Sequence, residues 1–328
     1  MVNPHLHVVR CSNDEVLVKQ GTRSLYSEIV SDDSRAGLLG AVVDAFRSPR
    51  AVTDVVGALD GGSDDAMHVV EGLRARNVLV APDEELAAVY VRTFYGADIA
   101  ATSVGIIGAG VVGRQVAEGL RGAGVEQFAV YDPRIAVADD PVTAKCFDGL
   151  PPDRVALGPS SDFGIEAVFA QSDVVVVSWE WFSPKLLTEV NLASIESGTP
   201  WLPVVVDGAE VVVGPTTVPG ESACWFEYLV QTEASLMQKD AYTLFRDHLD
   251  DMDLAVSGAF VLPPLAQVAG GLASVSVVRL AAGQHVPTLN RTLRVDLDRF
   301  SIDYQHVLRL PRCPACGPSR AAYRQLFL

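Results

Sequence analysis

The stretch "SVGIIGAGVVGRQVAEGLRGAGVEQFAVYD", residues 103–132, constrains this chain more than any other. An apolar run ends in Gly108-x-Gly110-x-x-Gly113, an amphipathic helical pattern follows, and a second apolar run closes on Asp132. Strand, glycine turn, helix and strand in that order predict half of a doubly wound α/β domain. Each glycine has its own reason: Gly108 permits the tight turn, Gly110 lets a phosphate approach the backbone, and Gly113 lets the helix pack on the strand. Asp132 falls near the spacing of an acid that bonds a ribose hydroxyl. The same glycines also serve helix–sheet packing with no ligand at all, so the fold is better specified than a bound nucleotide.

Further on, "SDVVVVSWE" is a continuous apolar run, as expected of a parallel strand covered on both faces. "NLASIESGTPWLPVVVDGAEVVVGP" reads as a helix, a strand and a short return strand. Residues 258–283 read as a buried helix rich in small residues, interrupted early by Pro263 and Pro264 and suited to close packing, including across a dimer. "TLNRTLRVDLDRFSIDYQHVLRLP" alternates as late strands.

The N-terminal part has a different character. "LHVVR", "EVLVKQ" and "SLYSEIV" alternate as short strands, and three helical patterns follow in "RAGLLGAVVDAFRS", "AVTDVVGAL" and "SDDAMHVVEGLRARNVLV", the last with Ser63 as its expected N-cap. Three small strands before three short helices predict a compact winged-helix-like unit. "DEELAAVYVRTFYGAD" reads as a bridging helix.

Such units often bind DNA, but residues 1–90 carry 8 Lys and Arg against 14 Asp and Glu. The whole chain has 25 basic and 41 acidic residues, a formal charge of −16, which argues against nucleic acid as a partner. The first residues lack a basic flank leading into an apolar stretch, and no run approaches the roughly 18 apolar residues of a membrane span. A cytoplasmic protein with no membrane partner is expected.

Of five cysteines, Cys313 and Cys316 form a Cys-x-x-Cys knuckle, which presents two thiolates to one metal. Cys224, followed at the third position by Glu227, offers two further ligands, giving a three-thiolate, one-carboxylate zinc set. Two packed turns without metal are the alternative. A nicotinamide oxidoreductase would need an acid–base partner, and none of the six histidines sits in a context suggesting a proton relay.

"VGIIGAGVVGRQVAEGL", the Gly-Pro-x-x-x-Pro-Gly of "WLPVVVDGAEVVVGPTTVPGESACWFEYL" and the terminal "HVLRLPRCPACG" together resemble the ThiF-like family related to ubiquitin-activating enzymes. More narrowly they resemble its ocin-ThiF, or cyclodehydratase-C, branch from pathways of azole-modified peptides and thiopeptides. The resemblance spans about residues 85–320 and implies two domains, a winged-helix-like leader-peptide recognition domain over 1–84 and a degenerate ThiF-type Rossmann-like domain over 85–328. Active members of the superfamily follow the second strand with an Asn-Leu-x-Arg-Gln stretch. Here "DPRIAVADDPVTAKCFDG" keeps Asp132 and lacks it, so ATP use by this chain is not expected.

What the resemblance implies is a non-catalytic partner that binds the leader of a ribosomal precursor peptide and delivers its core to a YcaO-type ATP-dependent cyclodehydratase for azoline formation at Cys, Ser or Thr. A homodimer is implied as well. The leader would add as a strand to the third N-terminal strand and lie on the third helix, bringing in Arg23, Leu25, Tyr26, Ile29, His68, Val69, Gly72 and Arg76. Arg23 and Arg76 would pair with acidic leader residues. The competing readings are an active ThiF-type adenylating enzyme and an NAD(P)-dependent oxidoreductase.

Overall fold

The computed structural model describes residues 1–59, 63–160, 163–180, 183–251 and 261–317. Contacts divide the chain into two compact units, Met1–Asp98 and Ile99–Leu328.

In the first unit, β1 (His7–Arg10), β2 (Glu15–Lys19) and β3 (Ser27–Ser31) form an antiparallel sheet in that order. Val8, Val16, Val18 and Val30 point into the core, where they meet α1 (Leu39–Ala45), α2 (Val52–Ala58) and α3 (Ser63–Ala75). Helix α1 starts later than its apolar pattern, because Arg35 and Gly37 just before it take left-handed backbone angles. Ser63 is the first residue of α3 itself.

The unit closes with α4 (Leu86–Tyr95), so the contact boundary falls at Asp98 and not at the 84/85 junction expected from the sequence. The physical reason is that α4 is tied to what precedes it. Phe94 meets Tyr26 edge to face with ring centroids 5.2 Å apart, Asn3 Nδ2 donates to Thr93 Oγ1 at 3.0 Å, and Arg92 Nε donates to Asn77 Oδ1 at 3.0 Å.

The second unit opens with β4 (Ser103–Ile107), α5 (Val111–Gly122) and β5 (Gln127–Asp132). There follow α6 (Ile135–Ala138), α7 (Pro141–Cys146), β6 (Val155–Leu157), α8 (Ile165–Ala170), β7 (Val174–Trp179), α9 (Pro184–Ser197), β8 (Trp201–Asp207) and β9 (Glu210–Val213). The chain continues through α10 (Trp225–Ala234), α11 (Lys239–Asp251), α12 (Pro263–Ala281), β10 (Arg291–Asp296) and β11 (Ser301–His306). An eight-stranded sheet runs β11-β10-β9-β8-β7-β4-β5-β6, parallel from β8 to β6 and antiparallel from β8 to β11.

Strands β4 and β7 are buried at every position, as two-sided helix cover requires. Each fully buried valine or leucine in this double-sided layer contributes roughly 1.5–3 kcal/mol relative to exposure.

Pro263 and Pro264 stand in the first turn of α12; residues 258–260 of the expected helix lie outside the described residues. Proline at a helix's first turn forfeits only an amide that would lack an intrahelical partner anyway. The helix is long and apolar enough to cross a membrane, yet it packs on α5, β7, β8 and β9. Its small residues serve that packing: a side chain added at Gly270 would strike Gln115, and Ser274 Oγ donates to Val116 O of α5 at 3.3 Å.

Candidate functional site

Three places in the fold bring chemistry together. The first is the free edge of β3. Among the described residues β3 pairs with β2 alone. The register is fixed by Asp32 N donating to Asp14 O at 2.9 Å and Gln20 N donating to Tyr26 O at 3.3 Å, with Val16 opposite Val30 and Val18 opposite Glu28 between them. In an antiparallel pair, bonded and non-bonded residues alternate, so the amides and carbonyls of Ser27, Ile29 and Ser31 face away from β2.

Beside this edge, between the end of β3 and α3, lies a cavity of about 170 Å³. His68, Val69, Gly72 and Arg76 line one wall, and Val30, Asp32 and Leu39 contribute to the other. Nothing lies within 4 Å of where a Gly72 side chain would begin, so this glycine leaves the groove open. Arg76 Nε pairs with Glu28 Oε1 at 3.5 Å across an exposed rim.

The structure therefore brings together His68, Val69, Gly72 and Arg76, with Ile29 exposed on the adjoining edge. It does not bring the others to the cavity. Tyr26 turns toward Phe94, where burial raises its phenol above the ordinary value, and Arg23 and Leu25 lie exposed in the turn before β3. Asp32, Ser34 and Leu39 were missed by sequence reasoning, because their place in the wall depends on how the turn after β3 folds back onto α1.

The second place is the glycine loop. Gly108 adopts φ +98°, and a side chain there would strike the Ser178 carbonyl and Trp179. Gly113 sits against the Gly108 carbonyl, as close helix–strand packing demands. At the head of α5 the chain places an ion cluster. Asp132 is fully buried; its Oδ2 accepts from Ala109 N at 2.7 Å and Arg134 Nη2 at 2.5 Å, and its Oδ1 accepts from Arg134 N at 3.0 Å and Nε at 2.8 Å. Arg134 Nη1 donates to Glu180 Oε2 at 2.5 Å, and Glu180 Oε1 accepts from Val112 N at 3.2 Å.

The Arg134 guanidinium stacks on Trp179 at 4.3 Å. Its burial favours losing the proton, but Asp132 and Glu180 outweigh that and raise its pKa above the ordinary value. Asp132, expected to face a ribose, thus points inward with both oxygens engaged. Arg134 and Glu180 carried no motif in the sequence; they lie 46 residues apart and meet only through the parallel sheet.

The third place gathers Cys224, Glu227, Cys313 and Cys316, whose ligand atoms lie within 4.8 Å of one another. Cys224 Sγ and Cys313 Sγ are 3.7 Å apart. A tetrahedral metal with bonds of about 2.3 Å to sulfur sets its sulfurs about 3.8 Å apart, so this spacing fits one ion. Gly317 shapes the knuckle: its amide donates to Cys313 O at 2.8 Å, and a side chain there would strike the Cys313 backbone.

Glu227 has a second role that its spacing from Cys224 explains. The two form a capping box at the start of α10, with Cys224 in the place usually taken by serine or threonine. Glu227 Oε2 accepts from Cys224 N at 2.8 Å and Oε1 from Leu310 N at 2.6 Å. Each oxygen keeps a second lone pair, and a carboxylate so fixed is the usual state of a metal-ligating acid. Burial first, and then the neighbouring Cys313, push the Cys224 thiol up to about 11; burial and Cys224 likewise raise Cys316. Thiolates here need a cation to be stable, and the cluster can hold one.

No family model and no curated protein matches the chain. Solved structures do match. A heterocyclase in complex with substrate and cofactor aligns with TM-score 0.65 and 15% identity over 100% of this chain and 41% of its own. The heterocyclase TruD aligns with TM-score 0.63 and 18% identity over 100% of this chain and 44% of its own. The microcin C7 biosynthetic enzyme MccB, in complex with N-formylated MccA, aligns with TM-score 0.56 and 17% identity over 97% of this chain and 99% of its own. Escherichia coli MccB has also been solved with ATP.

The chain is thus a mixed α/β protein with the fold shared by these heterocyclases and MccB, as the resemblance to the ThiF-like family implied. It spans less than half the length of the two heterocyclases.

Proposed function

We propose that this chain binds the leader segment of a ribosomal precursor peptide and presents its core to a YcaO-type, ATP-dependent cyclodehydratase that closes azoline rings at Cys, Ser or Thr. The observation that carries the reading is the free edge of β3 beside an open groove on α3. An extended peptide added there satisfies the outward amides and carbonyls of Ser27, Ile29 and Ser31, which supplies affinity, while alternate side chains reach the groove, which supplies specificity.

Met1–Asp98 acts in this reading as the recognition domain, with His68, Val69, Gly72 and Arg76 as the reading wall. The match to heterocyclases over the whole chain and to MccB solved with MccA supports a role in precursor-peptide processing. Tethering the leader makes successive modifications of one core effectively intramolecular, so a partner enzyme works at high local substrate concentration without this chain doing chemistry itself. A homodimer is the proposed assembly, and sedimentation velocity reads it.

The second unit holds a structural zinc in this reading, with Cys224, Cys313 and Cys316 as thiolates and Glu227 as the fourth ligand. The ion ties the segment before α10 to the C-terminal knuckle and takes no part in a reaction.

Fluorescence polarisation with the labelled leader of a ribosomal precursor peptide tests the peptide reading. Saturable binding at micromolar or lower concentration is expected; absence of binding at any reachable concentration contradicts it. Gly72→Leu sharpens the test. Replacing a mid-helix glycine stabilises the helix by roughly 0.5–1 kcal/mol, while the leucine side chain fills the groove. The expected result is a higher melting temperature together with leader affinity lowered about fivefold or more, read by thermal melt and polarisation on the same sample.

A further inference from the structure

The glycine loop is where this fold invites a nucleotide, and we infer that the chain fills that place from within, with the Glu180 carboxylate seated where a phosphate would lie. In an open α/β sheet the ligand crevice forms outside the carboxyl ends of the strands, where the strand order reverses. Here that place lies at the ends of β4 and β7, and Glu180 follows directly on β7. The exposed amides at the head of a helix make the crevice attractive to an anion. Glu180 Oε1 takes one of those amides, Val112 N, and Glu180 Oε2 takes the Arg134 guanidinium.

The fit excludes a second anion. Gly110 is the residue whose missing side chain ordinarily gives a pyrophosphate room to approach the backbone. In this chain the space beside it is used: a Cβ at Gly110 would lie 2.8 Å from Glu180 Cδ and 2.9 Å from Arg134 Nη2. Asp132 0%, Arg134 3% and Glu180 4% exposed leave the cluster closed to solvent. Two carboxylates against one guanidinium also make the pocket repel a further negative charge. The residues present therefore do not fit ATP or a dinucleotide at this loop. The room that Gly110 leaves is taken by a carboxylate of the chain itself.

The inference is independent of the peptide reading. Equilibrium dialysis with labelled inorganic phosphate and with ATP, on the full-length wild type and on Glu180→Ala, tests it. Wild type is expected to retain neither ligand at millimolar concentration. Glu180→Ala, which leaves Arg134 and the Val112 amide facing an anion-sized void, is expected to retain phosphate at least tenfold better than wild type and to melt higher as phosphate is added.

A folded Glu180→Ala that gains no phosphate overturns the inference, as does saturable retention of ATP by the wild type. Should Glu180→Ala not fold, Gly110→Ala gives a second reading against Gly110→Ala/Glu180→Ser. The single variant is expected to melt well below wild type and the double variant to recover part of the loss; no recovery overturns the inference.

Discussion

Replacing Ile29 with proline is expected to weaken leader binding about tenfold to a hundredfold while leaving the first unit folded. Proline removes the outward amide at that position, and the peptide carbonyl that would pair with it is left unsatisfied, at a cost of roughly 1–3 kcal/mol. The ring also obstructs the approach of an added strand. The fold tolerates the change because Ile29 lies on an edge strand and makes no ladder bond to β2, the position at which sheets accept proline. Val30→Pro is the contrasting control. Its amide belongs to the bonded set facing β2, and its side chain is buried in the core, so this change is expected to lower stability itself. Circular dichroism and fluorescence polarisation on the two variants separate loss of the edge from loss of the fold. Unchanged affinity in Ile29→Pro would place the leader elsewhere.

Chelation of the proposed zinc is the second change with a large expected effect. Purified protein is expected to carry about one zinc per chain by elemental analysis, and a strong chelator is expected to lower its melting temperature by roughly 10 °C or more, since binding energy at a structural zinc is folding energy. Cys313→Ser should lose the ion and melt like the chelated wild type. Glu227→Gln should retain the α10 cap in part while binding zinc more weakly, because an amide oxygen still accepts a backbone hydrogen bond but carries no charge. Protein that holds no zinc and ignores the chelator would mean that the cluster is a packed turn stabilised by the Cys224–Glu227 capping box alone.

How much of this was legible beforehand depends on the range of the interactions. The glycine loop and the strands at β4, β5 and β7 are local patterns, and the structure has them as elements; the Cys313–Cys316 spacing is equally local, and the structure brings both thiols beside Cys224 and Glu227. From the sequence the prolines at the head of α12 read as an interruption, because a helix start and a helix break carry the same residue; the structure places them in the first turn of α12, after a non-helical Leu262. Tyr26 is expected at the groove from the resemblance, as a residue of the third strand, but its ring lies against Phe94 of α4 and the core of the unit rather than in the groove lining, and the same contact carries the unit's boundary beyond residue 84.

Glu180 could not be found from the sequence. The glycine pattern is identical whether the anion at the helix head comes from a nucleotide or from the chain. Only the register of β5 and β7 on either side of β4 brings Arg134 and Glu180 together. Glu227 is an intermediate case: the Cys-x-x-Glu spacing was noted for its ligands, while its value as a capping box follows from the same spacing once α10 is known to begin at Trp225.

Hydrogen–deuterium exchange on the full-length protein, with and without the leader peptide, addresses the peptide-binding claim most directly. Leader binding is expected to slow exchange at Ser27, Ile29 and Ser31, whose amides face away from β2, and along the His68–Arg76 face of α3, while the Gly108–Gly113 loop is unaffected. Binding that leaves β3 unchanged and protects the glycine loop instead would contradict it.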